Sequence, residues 1–63
     1  MDTEEKAQIL RDTINDLLSC PTYKNNVALI SKFVCEEARD LFRGDVGSVT
    51  VNDILQEYGL PPC

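Results

Sequence analysis

Apolar side chains recur at spacings of three and four along most of this chain, the signature of helices that bury one face. In the first segment Ala7, Leu10, Ile14, Leu17 and Leu18 form one stripe, while Gln8, Arg11, Asp12 and Asn15 fill the opposite side. Asp2 or Thr3 can cap this helix, and Glu4 and Glu5 sit in its first turn, where acids complement the helix dipole. The pattern predicts a helix over 3–19. It breaks at Ser19–Tyr23, where Pro21 cannot continue a helix interior but suits a first helical position. A second helix is therefore expected over 22–43. Its apolar positions are Val27, Ile30, Val34, Ala38 and Leu41, flanked by Leu29, Phe33, Cys35 and Phe42.

Gly44 is the expected C-cap of this second helix, with Arg39 and Arg43 at the negative end of its dipole. Residues 44–49 (GDVGSV) read as a loop from which Val46 and Val49 turn back onto the core. Within it, GSVTV is the one segment with strand character, and it has no pairing partner. A third helix is expected over 50–58, opened by a capping box in which Asp53 follows Thr50 by three residues. Ile54, Leu55 and Tyr58 form its buried side. Gly59 ends it, and Pro61 and Pro62 block any extension. The fold class read from these patterns is all-α: a single small three-helix domain over 1–63, with helix 2 central and neighbours joined by short connections.

At 63 residues the chain can bury only about 60% of the surface it exposes when unfolded. Domains of this size generally need a disulfide, a metal, a partner or very regular packing. With 43% hydrophobic residues the composition is that of a globular chain, and with no Trp the core must be aliphatic. Helix 2 carries more apolar surface than one neighbour can cover. Leu29, Phe33, Val34 and Phe42 are the candidate interface, exposed in the monomer and satisfied by a protein partner or by a second copy.

Charge narrows the functions further. The net charge is −5. Residues 1–21 hold five acids against two bases, residues 22–43 three against four, and residues 44–63 three acids and no base. Phosphate binding needs cations, so nucleic acid is a poor partner. The only basic surface is Lys24, Lys32, Arg39 and Arg43 on helix 2. TVNDILQEYGL, residues 50–60, is nonetheless similar to the first helix and turn of a helix-turn-helix. The likeness implies a dimeric nucleic-acid-binding regulator as the rival reading. The base-reading second helix has no counterpart after it, however, and the segment has no Lys or Arg. Helix 3 is expected to close the bundle instead.

Catalytic chemistry finds little to work with. There is no histidine, which removes the commonest general base and the Ser–His and Cys–His pairs. Glu36, Glu37 and Asp40 cluster on helix 2, but Arg39 and Arg43 interleave with them as on a solvated, ion-paired face. Cys20, Cys35 and Cys63 are an odd number, spaced 15 and 28 apart, which suits neither a disulfide framework nor a zinc site. Cys35 is expected to fill the core and Cys63 to be exposed. Cys20, placed before Pro21 at a helix N-terminus, is the candidate reactive thiol. The Arg43–Gly44–Asp45 triplet has a local structural reason at each position.

Residues 1–19 carry charges throughout and do not read as a signal peptide. No apolar run approaches the roughly 20 residues that span a bilayer. The expectation is a cytoplasmic protein with three reduced cysteines. It is read as non-enzymatic, without cofactor or metal: an adaptor, inhibitor or regulatory subunit that does not engage membranes.

Overall fold

The fold is all-α. The computed structural model describes residues 2–43 and 47–63, with 47–49 as backbone alone. Helix α1 spans Thr3–Ser19, α2 spans Val27–Phe42 and α3 spans Gly47–Glu57. Each helix packs on the other two. The radius of gyration, 10.8 Å, is close to the value of about 10.6 Å expected for a folded chain of this length.

Helix α1 has the bounds its pattern predicts. The Asp2 carboxylate accepts the backbone N–H of Glu5 at 2.9 Å, satisfying one donor of the open first turn. Ala7, Leu10 and Ile14 face inward and are buried. Contacts between Lys6 and Phe42 and between Thr13 and Glu37 run in opposite sequence directions, so α1 and α2 lie antiparallel.

Helix α2 begins five residues later than Pro21 suggests. Tyr23 and Lys24 donate to the Cys20 carbonyl at 3.0 and 2.9 Å, and Asn26 donates to that of Tyr23 at 2.8 Å. These turns occupy the segment expected to be the first turn of the helix. Asn26 then caps α2 by accepting the N–H of Leu29 at 3.2 Å. A side-chain cap at Asn26 satisfies an orphan donor, which a proline at the first position cannot do. The far end of α2 also differs: its last turn is closed by Arg43 in the left-handed region, φ 46°, whose N–H reaches the Arg39 carbonyl at 3.0 Å. Gly44, Asp45 and Val46 lie outside the described residues, and so does the side chain of Val49.

Helix α3 starts at Gly47 rather than at Thr50. Residues 47–49 are therefore helical, neither loop nor strand, and the proposed Thr50–Asp53 capping box lies inside the helix. Val51, Ile54 and Leu55 share one face of this helix, as their spacing of three and four requires, and all three are within the core. The C-terminus of α3 is a Schellman motif. Gly59 (φ 70°) donates to the Gln56 carbonyl at 3.0 Å and Leu60 to that of Leu55 at 2.8 Å. The two residues that such a motif brings together, Leu55 and Leu60, are both buried.

Among the described residues the core consists of Leu10 and Ile14 from α1, Ile30, Val34, Ala38 and Phe42 from α2, Val51, Ile54 and Leu55 from α3, together with Ala7 and Leu60. Beyond Leu60 the chain lies along α2 as a strap. The buried Ser31 hydroxyl donates to the Pro61 carbonyl. Cys63 forms a disulfide with Cys35, Cα–Cα 5.8 Å, and donates its N–H to Asn52 Oδ1 at 3.0 Å. The registers match. Four helical residues from Ser31 to Cys35 rise about 6 Å, and two proline-type extended residues from Pro61 to Cys63 span about 6.2 Å.

This bond corrects the expectation of three reduced cysteines. Cys35 is not a free core filler, and Cys63 is not a lone thiol. The cytoplasmic placement loses the argument it rested on. Among the described residues no helix is long and apolar enough to cross a membrane.

Two stability measurements follow. A Cβ on Gly59 would meet no atom within 4 Å, so Gly59→Ala isolates the backbone term and is expected to cost about 1–2 kcal/mol in urea unfolding. Breaking the disulfide, which links residues 28 apart, is expected to lower stability by about 2–4 kcal/mol. This is read from the urea midpoints of oxidised protein and of a Cys35→Ser/Cys63→Ser variant.

Candidate functional site

The four candidate interface residues separate into two pairs. Val34 is fully buried and Phe42 is 8% exposed; both belong to the core of the single chain. As contact residues for a partner they are corrected by the packing. α1 and α3 close over the Ile30–Val34–Ala38 row from both sides, and Lys6 lies over the Phe42 ring with Nζ 5.1 Å from its centroid. Phe33 and Leu29 point elsewhere. They are four residues apart and share a helix face. Leu29 is half-buried, and Phe33 remains 42% exposed.

Phe33 is held on one side by another ring. Tyr23, in the turn before α2, meets it edge to face, with ring centroids 5.8 Å apart and planes at 89°. That geometry suits two aromatic quadrupoles and fixes the Phe33 ring while leaving its other side to water. Tyr23 itself packs against the core, so the pair is anchored. The other large exposed apolar residue is Val27, at 44%. By sequence it continues the core stripe, yet it is the first residue of α2. A cap at Asn26 would have been the signal that Val27 lies at the open end of the helix.

Acids border this surface. Glu36 and Glu37 follow Phe33 by three and four residues and Asp40 by seven, which puts all three on its side of α2. They do not form the ion-paired face expected with Arg39 and Arg43. Glu37 is half-buried and accepts the Thr13 hydroxyl of α1 at 2.7 Å. Among the described residues the ion pair is Arg11–Glu57, 3.2 Å between α1 and α3. With side chains 37% and 56% exposed, it contributes little, about 0–1 kcal/mol. The basic residues Lys24, Lys32, Arg39 and Arg43 are all exposed. Lys32, Arg39 and Arg43 follow a helical spacing, but Glu36 falls within their stripe.

Cys20 is the free cysteine and is half-buried. The argument for its reactivity fails on position. With α2 starting at Val27, Cys20 is the C-cap of α1, its N–H donating to the Leu17 carbonyl at 3.1 Å. It sits at no helix N-terminus. Among the described residues no group of three metal-ligating side chains is assembled. Of the Arg43–Gly44–Asp45 triplet only Arg43 is described.

No protein-family model, curated protein or solved structure matches this chain.

The division between core and surface aromatics is measurable. Phe42→Ala is expected to cost about 3–5 kcal/mol. Phe33→Ala should cost about 1 kcal/mol, the range of an aromatic pair contact. Denaturant unfolding of the two variants side by side checks this; equal losses would place Phe33 in the core.

Proposed function

We propose that this protein is a small non-enzymatic protein–protein interaction module, an adaptor, inhibitor or regulatory subunit, that docks a partner through a surface centred on Phe33 of α2. The observation that carries this reading is the 42% exposure of a Phe33 ring already oriented by Tyr23. An aromatic ring whose rotamer is set before binding loses little entropy on contact, and aromatic anchors dominate interface energetics. Leu29 extends the apolar area along the same face.

The partner is a protein with an apolar slot for the ring and a basic rim. Glu36, Glu37 and Asp40 border Phe33, and the whole chain carries −5. Such a field speeds encounter with a basic surface and repels a like-charged one. A second copy of this chain is therefore the less favoured occupant, although self-association would also satisfy the exposed apolar surface.

A photo-crosslinking benzophenone amino acid placed at position 33 tests the reading in the cell that makes the protein, with the same group at exposed Asp53 as control. The expected result is a discrete heavier adduct from position 33 alone, with a basic protein as the captured species. An adduct of twice the chain mass would identify a second copy and refute the basic partner. Identical profiles from positions 33 and 53 would refute docking at Phe33.

A further inference from the structure

We propose that the Cys35–Cys63 disulfide is a reducible clasp: a dithiol reductant opens it, frees residues 61–63 from α2 and uncovers Ser31 and Cys35 while the three-helix core stays folded. The inference rests on how the strap is held. Four interactions fix it, and they divide into two groups. Leu60 is held by the Schellman motif of α3, through its N–H to the Leu55 carbonyl and through burial at 5% exposure. The three beyond it are the Ser31–Pro61 hydrogen bond, the Cys63–Asn52 hydrogen bond and the disulfide. Pro61, Pro62 and Cys63 are themselves exposed, so little apolar burial holds them. Without the disulfide, two hydrogen bonds must order three residues, and even with φ of Pro61 and Pro62 fixed by their rings the backbone entropy lost is of the size such bonds return.

Release stops at Leu60 for the same reason. Leu60 is the only core side chain that follows α3, and the bonds that place it come from α3, not from α2 or the disulfide. Among the described residues the other ten core side chains all lie on the helices. What the strap covers is the Ser31–Cys35 turn of α2; Val27 precedes Ser31 by four residues and so lies on the same face. Val27 is already 44% exposed while Ser31 is 4% exposed. Lifting residues 61–63 lengthens an exposed strip that begins at Val27.

The exchange has an open direction. Cys63 is exposed and Cys35 half-buried. A thiolate of the dithiol attacks Cys63 Sγ, forming a mixed disulfide and expelling the Cys35 thiolate, which takes a proton from water. The second thiolate of the reductant then displaces the Cys63 sulfur, which is protonated in turn, and the reductant leaves as its cyclic disulfide. Two electrons and two protons pass from the dithiol to the protein.

Residue-resolved amide hydrogen exchange on a Cys20→Ser background, before and after dithiothreitol under native conditions, tests this. Pro61 and Pro62 have no amide, so the Cys63 amide, bonded to Asn52, reports the strap, and the Gly59 and Leu60 amides report its anchor. The expected result is loss of protection at Cys63 with protection retained at Gly59, Leu60 and throughout α1, α2 and α3. The Cys35→Ser/Cys63→Ser variant should reproduce that pattern without reductant. Loss of protection at every site would make the bond a staple of the whole fold and overturn the clasp. Retained protection at Cys63 would show that the hydrogen bonds alone hold the strap, with the same consequence. A bond that dithiothreitol leaves closed in the folded protein would overturn it as well.

Discussion

Covering the apolar row of α2 is the constraint to which every other element of this structure answers. Ile30, Val34 and Ala38 leave no room for water on the inner face of the helix. α1 lies antiparallel on one side, supplying Leu10 and Ile14, and α3 supplies Val51, Ile54 and Leu55 from the other. Among the described residues there is no fourth helix to finish the enclosure. The segment after α3 does so instead: Leu60 enters the core, and Pro61 to Cys63 continue along α2 past Ser31 and Cys35. Burying Ser31 is tolerable only because the same strap offers its hydroxyl a carbonyl. Among the described residues no buried side-chain nitrogen or oxygen lacks a partner, as close packing in a low-dielectric interior requires.

Features of the fold that local chemistry decides were legible in the sequence. The stripe Ala7–Leu10–Ile14 and the Asp2 cap define α1 at both ends, and the glycine at 59 ends α3 with the left-handed backbone its position implies. Helix starts were less legible because two residues competed for each. Pro21 and Asn26 are both acceptable beginnings for α2, and only Asn26 has a side chain able to take up a free amide. Thr50 looks like a cap by itself, yet α3 runs three residues further back, to Gly47.

The candidate surface was half legible for a related reason. Leu29, Phe33, Val34 and Phe42 form one wide apolar arc when α2 is viewed alone. Which part of an arc is covered depends on where two other helices cross it, and Val34 and Phe42 fall under them while Phe33 does not. The pairing of Cys35 with Cys63 was illegible outright. Spacings of 15 and 28 suggest nothing, and the two sulfurs meet only because α3 returns the chain to α2 and two prolines match the helical rise.

The strap has one more consequence, and it concerns other chains. Extended backbone lying on a protein surface is ordinarily a free edge at which a neighbouring strand can add, the first step of sheet-like aggregation. This edge offers no free N–H to pair with. Pro61 and Pro62 have no N–H, the N–H of Cys63 is taken by Asn52, that of Leu60 by Leu55, and the Pro61 carbonyl by Ser31. A chain that closes its core with an extended segment, and writes that segment as Leu-Pro-Pro-Cys, gains the cover of a strand without presenting a strand's adhesive rim.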